Sequence, residues 1–140
     1  MKKINTIEMS GPLITKEDEN FIIDVMRNGW YGEDKYYYVE KFEKDFATYH
    51  NRKYGLMTPN CTTAIHLILH SLGIKKGHNV INQDCTWVAA AAAVSYTGAR
   101  NNLVDIDAET WCLDHKKLEA AINKRTKAII VSDIYGNMPF

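Results

Sequence analysis

The chain has no CxxC pair. Its three cysteines, Cys61, Cys85 and Cys112, stand far apart and are odd in number, which argues against a disulfide framework. It has no excess of either charge: 17 basic residues balance 17 acidic ones, and no basic face stands out. Nucleic acid and anionic membrane are therefore excluded as expected partners. Long apolar runs are missing too. The longest, Trp87 to Val94, is far too short to span a bilayer. The opening residues, MKKINTIEMSGP, contain no apolar segment of the kind that makes a secretory signal, so a cytoplasmic location is expected. Neither a GxxxxGK phosphate loop nor a GxGxxG dinucleotide fingerprint occurs, and no metal site is expected. His66 and His70 have helical i, i+4 spacing, but Leu67 stands where a zincin carries Glu and no third ligand follows.

What is present is an ordered alternation. Thr15 and Asp18 have the spacing of a capping box, followed by apolar Phe21, Ile22, Val25 and Met26 and a stop at Asn28-Gly29. A polar loop leads to a second helix with Val39, Phe42, Phe46 and Tyr49 on one face. From Tyr54 onward short apolar runs alternate with helical segments. Strands are expected at Tyr54–Thr58, Asn79–Asn82, Asn102–Ile106 and Ala128–Asp133, and helices at Thr62–Leu72, Thr86–Tyr96 and Asp114–Ile122. Turns fall at Gly73, Gly77 and Gly98. This is the pattern of an α/β fold with a mainly parallel sheet flanked by helices. In such a sheet the strand carboxyl ends share one rim, where open α/β sheets bind ligands.

The stretch Pro59-Asn60-Cys61-Thr62-Thr63 lies at that rim and opens a helix. The first N–H groups of a helix lack internal partners and carry partial positive charge, so they suit a phosphate. Ordinary helix capping would use the same residue types. Asp84-Cys85-Thr86-Trp87 follows the next strand. An indole placed there can cover a flat heteroaromatic ring, or it can anchor the alanine-rich helix that follows. Taken together, the two segments make a flat, phosphorylated cofactor the leading ligand.

Both segments resemble the nucleotide-sugar aminotransferases of the DegT/StrS group, fold-type-I pyridoxal-phosphate (PLP) enzymes. The resemblance extends through "NGWYG", "YVEKFEKDFATYHNRKYGLMTPNCTTAIHL", "CTWVAAAAAVSYTGA", "VDIDAETWCLD" and "AINKRTKAIIVSDIYGNMP". It implies an incomplete, N-terminal part of the large PLP-binding domain. Residues 1–35 would form an N-terminal helix and substrate-side arm, and 36–140 part of the cofactor-binding domain. It also implies that Cys61, Thr62 and Thr63 contact the cofactor phosphate and that Trp87 stacks on the pyridine ring. Trp30 and Tyr31 would lie near the substrate. The implied partners are a nucleotide sugar, an amino donor and a second copy in a homodimer.

Several positions depart from the pattern of that family. Gly77-His78-Asn79-Val80 stands for Gly-Asp-Glu-Val, Gln83 for a common Pro, and Asn101-Asn102-Leu103 for Pro-Val-Phe. An unpaired amide in a buried strand would cost about 1–3 kcal/mol. The Schiff-base lysine and the acid that partners the pyridine nitrogen lie, in the family, beyond the segment matching Phe140. The lysines present precede strands or sit on helices, away from the rim in the expected fold, so no catalytic residue is assigned. The expected function is the N-terminal portion of a PLP-dependent aminotransferase for a nucleotide-linked keto sugar, inactive alone. A PLP-dependent sugar dehydratase of the same family, and a non-catalytic remnant or interaction module, are the rival expectations. The strand Tyr54–Thr58 is expected to lack its neighbours, and the isolated chain to be unstable or rearranged.

Overall fold

A computed structural model describes residues 11–138, which form two compact units divided between Met57 and Thr58. Residues 1–10 of the expected N-terminal arm and Pro139 of the expected turn at 136–139 lie outside the described residues.

The first unit contains α1 (Lys16–Asn28) and α2 (Tyr37–Tyr49). The capping box is in place: the Asp18 N–H donates to Thr15 Oγ1, and the Thr15 N–H donates to Asp18 Oδ2 at 2.7 Å. These bonds satisfy two groups that a helix start otherwise leaves open. The Tyr38 hydroxyl donates to Asp24 Oδ2 at 2.6 Å, and Phe21 meets the Tyr38 ring edge-on, joining the two helices. The hydroxyl and the Asn28 amide hold the Asp24 carboxyl below its ordinary pKa, while the bond to Asp24 raises Tyr38. The apolar stripe Val39, Phe42, Phe46 and Tyr49 remains largely exposed, and Ala47 is the buried residue of α2.

Residues 54–58 form no strand, contrary to expectation. A strand exists only as a ladder, and the segment has none to join; its tie is to a helix, where the Met57 N–H donates to Glu43 Oε1 at 2.7 Å. Gly55 lies flat against the Glu43 carbonyl, in a space that a Cβ would have to share with backbone.

The second unit is a parallel three-stranded sheet covered on both faces. Its elements are α3 (Cys61–Ser71), β1 (Asn79–Gln83), α4 (Ala89–Tyr96), β2 (Arg100–Val104), α5 (His115–Ala121), β3 (Thr126–Ile130) and a 3-10 turn (Ile134–Gly136). The strand order is β2-β1-β3, with Ile81 opposite Asn102 on one side and Ile129 on the other. Consecutive side chains of β1 point to opposite faces. Val80 enters a core with Leu69, Ile74, Ala93, Val94 and Ala99, whereas Ile81 enters a second core with Val104 and Leu113. Both are fully buried, each worth roughly 1.5–3 kcal/mol of apolar transfer. Alanines on α4 let that helix lie close to the sheet, and Gly98, with φ +75°, provides the left-handed residue that ends it.

Most boundaries fall within one residue of expectation, but those of β2 and β3 and the start of α4 do not. β2 begins two residues earlier than expected, β3 likewise, and α4 starts at Ala89, after Trp87. The β2 shift follows from the polar side chains: Asn101 and Asn102 can sit in the strand because their amides are paired. Asn101 Nδ2 donates to the Ala91 carbonyl at 3.0 Å, its Oδ1 accepts from Asn82 at 2.6 Å, and Asn102 Nδ2 reaches the Ala121 carbonyl at 3.3 Å. The penalty for an unpaired amide therefore does not fall on Asn101 or Asn102. It falls on Asn82, 1% exposed, whose Oδ1 has no partner.

Candidate functional site

The three parallel strands end together at Gln83, Val104 and Ile130, and the segments leaving them form the rim. Four connections organise it. The Asp84 N–H donates to the Val104 carbonyl at 2.9 Å, joining the exits of β1 and β2. Gln83 Oε1 accepts the Ser132 N–H at 3.0 Å, joining β1 to β3. Thr86 Oγ1 donates to Ser132 Oγ at 2.9 Å. Asn137 Nδ2 donates to the Thr110 carbonyl at 3.0 Å, tying the end of the described chain to the loop after β2.

α3 opens at Cys61 behind an extended Asn60. Asn60 Oδ1 accepts from the Thr63 N–H at 2.9 Å and from its hydroxyl at 3.0 Å. The Ala64 N–H makes the first bond of the helix, to the Asn60 carbonyl at 3.1 Å. The Cys61 and Thr62 amides stand before that bond, in the turn where helix geometry offers no acceptor. Of the three expected phosphate contacts, Thr63 already has both donors engaged. The Cys61 and Thr62 amides have no acceptor among the described residues. The capping role of Asn60 follows from its residue type, which is favoured at helix starts.

Trp87 stands between Thr86 and the N-cap Val88 of α4. Its side chain is 81% exposed, so it is not the anchor of the helix that follows. α4 and α3 pack together in the same layer, and the His66 and Tyr96 rings meet at 5.5 Å. That contact, together with a ring separation of 6.4 Å from His70, uses His66 in packing. No cluster of metal-ligating side chains occurs among the described residues.

Lys117 reaches up from α5 to Asp105, just beyond β2, at 2.7 Å. Sequence reasoning placed this lysine away from the rim. The pair drives the two groups apart in pKa: Lys117 is raised by its bond to Asp105, and Asp105 is lowered chiefly by its bond to Lys117. Asp107 is lowered by the Thr110 and Glu109 amides that it caps. A nucleophilic amine needs the opposite shift, so Lys117 is unsuited to that role.

In the first unit, Trp30 and Tyr31 follow α1. Tyr31 is almost fully exposed, and both side chains line a cavity of about 420 Å³ with Met26, Asn28, Glu33 and Asp34. Arg27 lines it as well, so the lining combines two aromatic rings with charged groups of both signs. Among the described residues no helix is long and apolar enough to cross a membrane.

Comparison with known proteins places these features in context. Residues 12–139 match the DegT/DnrJ/EryC1/StrS aminotransferase family. The chain is 38% identical over 138 residues to GDP-perosamine synthase of Caulobacter vibrioides, covering 99% of this chain and 37% of that relative. Among solved structures it superposes on the putative sugar aminotransferase Spr1654 of Streptococcus pneumoniae in its PMP-form, with TM-score 0.80 and 30% identity, covering 93% of this chain and 32% of that one. A GDP-4-keto-6-deoxymannose-3-dehydratase with a trapped PLP-glutamate geminal diamine superposes with TM-score 0.76 and 26% identity, over 90% of this chain and 34% of that one. The chain thus spans about a third of the length of the relatives it matches.

Proposed function

The chain belongs to the DegT/DnrJ/EryC1/StrS aminotransferase family, and from that premise we propose that it forms the phosphate- and ring-holding part of a PLP-dependent aminotransferase for a nucleotide-linked keto sugar. Residues 36–140 belong, in this proposal, to the cofactor-binding domain, and residues 1–35 to a substrate-side arm carrying Trp30 and Tyr31. The complete assembly works as a homodimer with an amino donor as second substrate. Its relatives' names support the substrate class: one makes GDP-perosamine, and the dehydratase neighbour acts on a GDP-linked keto sugar.

The observation that carries the proposal is the helix start at α3. Asn60 satisfies the Thr63 amide and leaves the Cys61 and Thr62 amides to an outside anion, at the positive end of the helix. In this reading the Cys61 and Thr62 amides and the Thr62 hydroxyl would hold the phosphate of PLP, and the exposed Trp87 indole would cover a ring face. When bound, PLP supplies the electron sink that amino-group transfer requires. The residues here bind and orient. No proton or amine transfer is assigned to any of them, and the chain by itself is proposed to be inactive.

The dehydratase neighbour supports one second reading, a PLP-dependent sugar dehydratase using the same cradle. Both readings require the same cofactor grip. Pyridoxamine 5′-phosphate tests it, because this form carries no aldehyde to react with surface lysines. Saturable quenching of tryptophan emission by that compound, weaker for pyridoxamine and displaced by inorganic phosphate, is the expected result. Equal quenching by both compounds would remove the phosphate cradle from the proposal.

A further inference from the structure

Trp87 has a side chain open to solvent and no aromatic partner among the described residues. Packing therefore leaves the direction of its indole to the backbone on either side. On the C-terminal side, the Val88 carbonyl accepts the Ala92 N–H at 2.9 Å and fixes Val88 to the first turn of α4. On the N-terminal side the backbone leaves β1 through Asp84 and Cys85, residues in no regular element. Gln83 bridges that gap.

The Gln83 side chain is 1% exposed and uses both ends of its amide. Its Oε1 accepts the Ser132 N–H at 3.0 Å, and its Nε2 donates to the Cys85 carbonyl at 3.3 Å. The Thr86 hydroxyl then donates to Ser132 Oγ at 2.9 Å. Two connections, one buried and one from a hydroxyl pair, thus fasten residues 85 and 86 to the exit of β3. We propose that Gln83, acting through Cys85, Thr86 and Ser132, is a positioning residue that sets the Trp87 indole for stacking on a flat phosphorylated ring. This rests on the proposed function, in which that indole covers the cofactor ring.

The ring and phosphate contributions are separable, because inorganic phosphate engages the α3 amides alone while pyridoxamine 5′-phosphate also engages the indole. The ratio of the two affinities measures stacking. The full chain is labelled with 5-fluorotryptophan, and the Trp87 fluorine signal is assigned by its loss in Trp87→Leu. In Gln83→Met and Thr86→Val the preference for pyridoxamine 5′-phosphate over phosphate is expected to fall about two- to tenfold, to the level of Trp87→Leu. Phosphate affinity stays unchanged, and the Trp87 signal of the complex moves toward its ligand-free position. Thr86→Ser, which keeps the hydroxyl, retains the preference.

Full preference with an unmoved Trp87 signal in Gln83→Met overturns the proposal while leaving the proposed function intact. If Gln83→Met loses the dispersed Trp111 signal of a folded second unit, Thr86→Val and Ser132→Ala decide in the same way, each removing one hydroxyl. If the unsubstituted chain itself shows no preference over phosphate, or Trp87→Leu keeps it, the stacking role fails and this proposal falls with it.

Discussion

The Lys117 ammonium lies 2.7 Å from the Asp105 carboxylate, just beyond the end of β2. It brings a lysine to the rim, but as half of an ion pair that favours the protonated amine. Borohydride reduction in the presence of PLP is therefore expected to give no stoichiometric label at Lys117. In Lys117→Met the Asp105 carboxyl rises toward its ordinary value, because its largest lowering influence is gone. Carboxyl-detected NMR titration reads that shift.

Proline at position 61 removes one proposed phosphate donor and leaves the helix its preferred opening. Proline is favoured at the first helical position, and Asn60 is already extended, as the residue before a proline must be. Cys61→Pro is expected to keep its thermal transition within a few degrees and to weaken phosphate binding about tenfold or more, the loss of one charge-assisted bond of about 1.5–3 kcal/mol. Cys61→Ser, which keeps the amide, binds as before. Isothermal titration with inorganic phosphate separates the two.

Trp87→Leu changes a side chain that holds nothing in place. Its effect on stability is expected to stay within about 0.5 kcal/mol, as for other exposed positions. Urea denaturation tests this, and an undiminished response to pyridoxamine 5′-phosphate would contradict the stacking role.

The Asn82–Asn101 bond at 2.6 Å lies beneath α4, with Asn82 buried. Asn101→Val strands the Asn82 donor and is expected to cost about 1–3 kcal/mol. Asn82→Leu/Asn101→Val removes both amides and costs less than the sum of the single changes. A double-mutant cycle in urea gives the coupling directly.

Acid should weaken the second unit through Asp105 and Asp107. Both carboxyls are lowered in the folded chain, by Lys117 and by the Thr110 and Glu109 amides respectively. As pH falls below the unfolded value of about 3.9, the unfolded chain takes up these protons first. Their stabilisation is complete above that value and is lost as pH drops through the lower folded ones. Because both groups are solvent-exposed, the slope is shallow, and 0.5 M salt should flatten the Asp105 part further. Thermal melts between pH 5 and 2.5 measure it.

The parts of this fold legible in the sequence are those fixed by neighbours in the chain. Thr15 and Asp18 are three residues apart, so their mutual capping could be seen directly. The parallel sheet was legible because strand and helix periods alternate over short loops. Tyr54–Thr58 misled, since its apolar letters suit a strand but nothing local reveals whether a ladder is there to receive it. The Gln83–Ser132 bond spans 49 residues and was invisible for the same reason. The one available signal was an amide at position 83, where the resembling family usually carries a proline that could not donate or reach.

The central place of β1 has a bearing on biosynthesis. Both ladder partners of Asn79–Gln83 are made after it, the nearer starting at Arg100 and the farther at Thr126. During translation the strand that ends up most secluded emerges first, and it waits for two later arrivals before its amides and carbonyls are matched. At roughly 5–20 residues per second the interval lasts seconds, long compared with hairpin closure. Over that interval β1 has unmatched backbone groups, and slowing elongation between Val104 and Thr126 would prolong the time it spends with one edge still bare.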